Sequence, residues 1–459
     1  AGHYGSFDLA GIFRSSTKYT AVAHTAREAV MSVQLALKHA TTGRPGPTAC
    51  LFRANTLRDP VAENALPEIH DTNRLLNTSL SVPPTAAINA ALEVLLAAKA
   101  PVIVAGNGVR ISKAFESLAA MADLLGAPVV TTVLGKGAIA EIHDMAAGPM
   151  GYTGLPLANE IVGMADTVLV VGSRLKPQDT CFEHPDMFDP NRQRIVQIDI
   201  EARNASWTIP AEVALVGDAN ETLTLMLSGL DGRLDASTIA ARRKALVDLK
   251  AARKFFADPM LASANMPIAP QRLVAEIHAA VPTEAIVCTD AGSNRHWMNH
   301  FFQTRRPNSY FGSGGLGGVS WSLPATLCAK ILDPARPAIG ICSDGGFAMQ
   351  MHVLLTAAQY DANPVYVVMN NSRLGMTAEG MGNQSHGNDF PDTDYAGIAR
   401  ACGAWAERVE SPDDIAAAIH AGLAQDKPAV IDVIIDKSES MRQAMYSPLA
   451  VEAARGIRP

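Results

Sequence analysis

Apolar runs of strand length alternate with stretches of helical period over most of this chain. Runs at 101–105, 128–133, 167–171 and 194–200 are separated by helix-period segments such as 112–125. The alternation returns further on, with runs at 285–289, 338–342, 364–369 and 429–435. Uninterrupted apolar strands spaced by helices mark parallel βαβ units, whose strands are buried on both faces. A shorter piece precedes them: a helix-period stretch at 25–40, the turn Gly43-Arg44-Pro45-Gly46-Pro47 and a strand at 48–52. One helix and one strand cannot bury their apolar faces alone, so this piece reads as the end of a larger sheet. The pattern predicts an α/β protein of three domains with doubly wound parallel sheets, the first incomplete in this chain. The expected parts are residues 1–55, a polar linker 56–84, a central domain 85–233, a charged linker helix 234–267, a third domain 268–437 and a tail 438–459.

Composition narrows the class. The 459 residues are enough for two or three full cores. Only 18% are charged and 5% aromatic, a balance that suits buried parallel strands. A net charge of −7 without a basic stripe argues against a nucleic-acid partner. No apolar run reaches the roughly 20 residues of a membrane span. Six scattered cysteines with no C-x-x-C pair read as buried free thiols in a reducing compartment. The opening Ala1-Gly2-His3-Tyr4-Gly5 has no apolar signal core, so a cytoplasmic protein is expected.

Candidate chemistry sits at two strand ends. One run closes on Ser343-Asp344-Gly345-Gly346, a predicted helix spans 347–360, and the next run closes on Asn370-Asn371. A carboxylate at a strand's C-terminal end lies where open α/β sheets bind ligands. Magnesium takes oxygen ligands together with phosphates, and glycines at a helix start let backbone N–H groups approach an anion. The bland alternative is an aspartate capping a helix. The asparagine pair tips the balance towards a magnesium-clamped diphosphate, because adjacent asparagines are poor strand residues.

From Asp344-Gly345 to Asn370-Asn371 and Leu374-Gly375-Met376, this stretch resembles the thiamine-diphosphate motif. The likeness extends to Ser313-Gly314-Gly315-Leu316-Gly317-Gly318-Val319, similar to the segment that holds the aminopyrimidine ring. It also covers Asp290-Ala291-Gly292-Ser293-Asn294 with Trp297, similar to a loop touching the diphosphate. Gly106-Asn107-Gly108, Gly135-Lys136-Gly137 and Ile198-Asp199-Ile200 resemble the central, Rossmann-like domain of the acetolactate synthase, pyruvate oxidase and benzoylformate decarboxylase family. Arg14 with Thr17-Lys18-Tyr19 and the Gly43–Pro47 turn resemble the end of its pyrimidine-binding first domain; acetolactate synthase is the nearest branch. The resemblance implies thiamine diphosphate and Mg2+ as cofactors, with Asp344, the Asn371 side chain and the Arg373 carbonyl as metal ligands. It implies cofactor contacts at Gly292, Ser293, Asn294, Gly317, Gly318, Val319, Ser343, Asp344, Gly345, Gly346, Asn371, Arg373, Leu374, Gly375 and Met376. Val319 would be the apolar wedge that bends the cofactor. The family usually has Gly in place of Ser343 and a larger residue, often Met, in place of Val319, so the chain leaves more room beside the reacting carbon.

The family's first domain also supplies a glutamate, from an early strand, that activates the pyrimidine. Before the turn this chain offers only Asp8 and Glu28, neither on such a strand. The expectation is an activating glutamate from outside this chain, carried by a small second subunit of a split enzyme, with the assembly dimerising or tetramerising. A partly recorded sequence and a silent homologue are the alternatives. The implied activity is C–C bond cleavage and formation on a 2-oxo acid, an acetolactate-synthase-like carboligation. The alternatives are simple decarboxylation, a 2-hydroxyacyl lyase, a non-catalytic scaffold and a nucleotide-dependent dehydrogenase.

Smaller candidates complete the reading. The Gly106–Gly108 turn, followed by a helix capped by Ser112, suits either a nucleotide phosphate, FAD among the options, or plain structure. His386 lies in a polar stretch after the magnesium loop, as a proton donor on a lid or a solvated loop histidine. His296 and His300 read as packing, and Met349 and Met351 as core filler.

Overall fold

The computed structural model describes residues 7–58, 60–76 and 79–456. The opening Ala1-Gly2-His3-Tyr4-Gly5 and the last tail residues, 457–459, lie outside them. The chain divides into two compact units, one of residues 1–82 with 200–202, the other of the remainder.

In the first unit β1 (Tyr19–Ala23) pairs in parallel with β2 (Thr48–Phe52), Tyr19 opposite Thr48. Two capped helices flank them. Asp8 accepts the Gly11 N–H at the start of Leu9–Ser16. Thr25 caps Ala26–Thr41, and Glu28 reaches back to the His24 N–H at 2.7 Å. Both acids therefore serve helix ends, and neither β1 nor β2 carries a carboxylate. Nine of the ten strand residues are only half-buried, as a two-stranded ribbon leaves them.

The second unit holds two six-stranded, all-parallel sheets. The central sheet runs β3 (Pro101–Ala105), β4 (Val129–Thr131), β5 (Ala146–Pro149), β6 (Thr167–Val171), β7 (Arg194–Asp199) and β8 (Val213–Val216) along the chain, in spatial order β5-β4-β3-β6-β7-β8. The third array has β9 (Ile286–Thr289), β10 (Tyr310–Gly312), β11 (Ala338–Ser343), β12 (Val365–Asn370), β13 (Trp405–Val409) and β14 (Ala429–Ile434), ordered β10-β9-β11-β12-β14-β13. Helices on both faces bury strands such as β3, β6 and β12 completely, which is why those strands read as unbroken apolar runs.

Several expectations need correction. Of the segment 112–125 only Phe115–Leu125 is helical, and a separate short helix, Asn107–Ile111, precedes it. Ser112 does not cap Phe115–Leu125; its hydroxyl donates to Asp218 at 2.6 Å. The stretch 347–360 is two helices, Asp344–Gln350 and Val353–Gln359, the first starting at the aspartate itself. Met349 is exposed rather than core, whereas Met351 packs half-buried beneath the sheet. Cys328 is exposed, and all six thiols are free. The tail is ordered into Met441–Met445 and Pro448–Gly456: Met441 and Met445 join the core of the third array, Ala450 that of the central one. Among the described residues no helix is long and apolar enough to cross a membrane.

The two arrays meet through a buried ion pair. Lys136 Nζ lies 2.7 Å from both Glu141 carboxylate oxygens, and one of these accepts the Thr304 N–H at 2.7 Å. Both side chains are fully buried.

Candidate functional site

Ligands in open α/β sheets bind beyond the C-terminal strand ends where the strand order reverses. In the central sheet that point lies between β3 and β6. It is closed: Gly106 N–H donates to Val171 O and Gly108 N–H to Gly172 O, at 2.8 and 2.9 Å. A Cβ on Gly106 would stand 2.3 Å from Gly172 O, and one on Gly108 2.5 Å from Gly172 Cα. These glycines let two backbones touch.

In the third array the reversal lies between β9 and β11, and there the chain opens. Ser343 caps the helix Asp344–Gln350, its Oγ accepting the Gly346 N–H at 3.2 Å. Asp344 is therefore not the cap. Its fully buried carboxylate accepts the Gly345 N–H at 2.7 Å and the Arg373 N–H at 3.1 Å. Burial pushes its pKa up to about 6, and those backbone N–H groups oppose the rise. The loop from β12 reaches back because Ser372 adopts φ +52°, the left-handed region. The two asparagines have separate jobs. Asn370 is tied into the sheet by a 2.9 Å bond to Asp432, while Asn371 lines a cleft with Arg373, Gly375 and Ser293.

Across this cleft, Gly292 at φ +105° leads into the helix Ser293–Phe301. Asn294 donates to Ala291 O at 2.9 Å, leaving its own Oδ1 buried without a partner. The arch 314–319 is pinned at its ends by Ser313 Oγ on Gly318 O at 3.0 Å and Ser320 N–H on Asp290 at 2.8 Å. A Cβ on Gly315 or Gly318 would meet nothing within 4 Å, so these glycines face open space. Val319 is about half exposed, at 46%.

The arch, the Gly292–Ser293 turn and the Arg373–Met376 loop share a cavity of about 530 Å³ with Tyr152, Arg174 and Asp179 of the central array. Of the expected contacts, Gly292, Ser293, Gly317, Val319, Ser343, Arg373, Leu374, Gly375 and Met376 line it. Asn294 and Asn371 line the adjoining cleft. Asp344, Gly345 and Gly346 are buried, and neither they nor Gly318 line either space. His386 stands on an exposed turn and lines neither. His296 is buried, with Nε2 3.0 Å from Tyr152 Oη and Nδ1 2.9 Å from Thr153 Oγ1. Three basic residues that line this cavity beside Arg373, namely Arg174, Lys176 and Arg295, went unnoticed in the sequence.

The donor set fits a hard cation bound with phosphate. Asp344 and Asn371 offer side-chain oxygens, and the Arg373 carbonyl keeps one lone pair beside its bond to Gly375 N–H. Among the described residues no three His, Cys, Asp or Glu side chains form a metal cluster of their own.

Residues 88–226 match the family model described as thiamine pyrophosphate enzyme, central domain. Residues 290–433 match the thiamine pyrophosphate enzyme C-terminal TPP-binding domain. The chain carries the middle and C-terminal domains of the thiamine pyrophosphate enzymes. A probable acetolactate synthase large subunit of Methanocaldococcus jannaschii is 29% identical over 95% of this chain and 75% of its own length. The mitochondrial acetolactate synthase catalytic subunit of Aspergillus candidus is 30% identical over 94% of this chain and 65% of its own. A sulfoacetaldehyde acetyltransferase of Castellaniella defragrans is 28% identical over 76% and 62%. The TPP-binding match thus covers the strand ends where Asp344 and Asn371 lie.

Proposed function

We propose that this thiamine pyrophosphate enzyme is a magnesium-dependent carboligase of 2-oxo acids, working in the manner of acetolactate synthase. The observation that carries the reading is the buried Asp344 carboxylate, held by the Arg373 N–H beside the cleft that Asn371 lines. Asp344, Asn371 and the Arg373 carbonyl hold the magnesium. Ser343 accepts the Gly346 N–H and keeps its own hydroxyl proton for a phosphate oxygen. Gly292, Ser293 and Asn294 face the diphosphate from the other side, and the backbone of Gly317 to Val319 orients the pyrimidine, with Val319 as the wedge. When bound, thiamine diphosphate supplies the nucleophilic carbon and the electron sink for C–C cleavage and formation. The protein positions the reactants and keeps water from the cavity. FAD at the Gly106–Gly108 turn is left out, since the N–H groups of both glycines are taken by backbone.

The activating carboxylate comes from a second, smaller polypeptide in this reading, and the assembly associates further into dimers or tetramers. What supports it is that the Methanocaldococcus relative is called a large subunit. Isothermal titration with thiamine diphosphate, with and without Mg2+, tests the clamp. Asp344→Ala is expected to abolish magnesium-dependent binding, and retained binding refutes the assignment. Pyruvate consumption by this chain, alone and mixed with the polypeptide encoded beside it, tests the rest. Turnover only in the mixture supports the split enzyme; cofactor binding without turnover of any 2-oxo acid favours a scaffold.

A further inference from the structure

A further cavity, of about 310 Å³, shares no lining residue with the cleft or the larger cavity among the described residues. The turn at 154–157, the stretch 253–259 after the helix Ala236–Ala252, the end of the helix Ser293–Phe301 and the tail at 444–448 wall it. Lys254 at φ +51° and Phe256 at φ +53° adopt the left-handed region, uncommon for residues with bulky side chains. That turn brings the half-buried Phe255 and Phe256 onto the cavity, their rings edge-on at 4.6 Å. Buried Leu155, Leu157, Phe301 and Met445 extend the apolar lining. One polar side chain stands among them. His300 is only 8% exposed, and its Nδ1 donates to Thr153 O at 3.2 Å. Burial brings the imidazole down to about 4, so the ring is neutral, with its proton on Nδ1 and a lone pair on Nε2. Among the described residues Nε2 has no hydrogen-bond partner. Charge at the mouth is balanced. Arg253 is paired with Glu160 at 2.6 Å, and the exposed Lys254 and Asp258 carry opposite signs.

A concave, mostly apolar space with one placed polar group is the usual form of a small-molecule site. A nine-tenths-buried acceptor without a donor signals a missing partner. The lone pair on Nε2 calls for an N–H or O–H, and the balanced mouth gives a net charge no advantage. Phenylalanine walls favour an aromatic ring, which packs edge-to-face or offset against them. We propose that this cavity is a second ligand site, taking a neutral aromatic molecule whose N–H or O–H donates to His300 Nε2. The site stands apart from the thiamine cavity, and the inference does not depend on the carboligase reading.

Isothermal titration of the full chain with indole, in the presence of thiamine diphosphate and Mg2+, tests the site. The control probe is 1-methylindole, which keeps the ring and lacks the donor. Indole is expected to bind saturably, and about tenfold more tightly than 1-methylindole, the worth of one hydrogen bond. His300→Leu removes the acceptor and should bind the two probes alike; a preference kept in that variant overturns the proposal. Should His300→Leu fail to fold, Ala257→Trp decides the location. Ala257 is exposed at the mouth, so the larger side chain should block entry while leaving Tm and thiamine diphosphate affinity unchanged. Indole binding is expected to fall at least about tenfold in that variant. Absence of saturable indole binding overturns the proposal. So does equal affinity of the native chain for the two probes, or indole binding that survives Ala257→Trp.

Discussion

The two six-stranded sheets are built alike and used differently. Each reverses its strand order beside a glycine-rich turn. In the central sheet Gly106 and Gly108 press against Gly172, and the crevice is filled by main chain. In the third array Gly315 and Gly318 border empty space, while Gly345 and Gly375 let the loops carrying Asp344 and Asn371 close on each other. A glycine motif at a sheet's switch point is thus ambiguous by itself. What separates packing from binding is whether a Cβ would strike backbone or nothing.

Four tests would break or sharpen this contrast. The largest effect is expected at the joint between the sheets. Lys136→Met leaves Glu141 buried without its partner and should cost about 3–5 kcal/mol in urea denaturation, a smaller loss meaning that water reaches the pair. Next comes the glycine comparison. Gly108→Ala should destabilise by about 1–3 kcal/mol because its Cβ would lie 2.5 Å from Gly172 Cα. Gly318→Ala should stay within about 0.5 kcal/mol yet weaken thiamine diphosphate binding. Equal stability losses at the two positions would erase the distinction.

A third test concerns pH. Burial lowers His296 to about 3 and His300 to about 4. Unfolded histidine gains its proton near pH 6.5, so the unfolded state binds more protons as the pH falls. Stability is therefore fully present above about pH 6.5 and declines towards pH 4, by up to about 1.4 kcal/mol per pH unit for each histidine. His300→Gln should flatten the fall of Tm in that window; an unaltered slope places the acid sensitivity elsewhere. The smallest effect is expected from Val319→Met, which narrows the cavity and should shift preference towards smaller acceptors by about tenfold at most. Product ratios from mixed acceptors would register it, and an unchanged ratio would mean that room beside Val319 does not select.

The inner strands were legible because burial on both faces writes an uninterrupted apolar run. The strands that escaped notice, β1, β5, β8, β10 and β13, all lie at sheet edges. They are short or half-solvated, and carry Gly and Pro in β5 or Glu and Arg in β13. Asp344 and Asn371 stood out because neighbouring strand ends place them near each other. Arg295, Tyr152 and Asp179 did not, since their cavity forms only where segments from both sheets converge. Met349 showed the opposite error: read as core filler because methionine packs readily, it stands exposed near the end of the short helix Asp344–Gln350.

The ordered tail bears on how the molecule is made. Ser447 N–H donates to Tyr152 O at 2.8 Å, Tyr446 packs edge-on against the Tyr152 ring, and Met445 and Ala450 enter different cores. This clasp is translated after every strand of both sheets. During synthesis the sheets can fold one after the other from the ribosome, and the tail fastens them only afterwards. The cavity wall at Tyr152 is thus among the last parts of the molecule to be set.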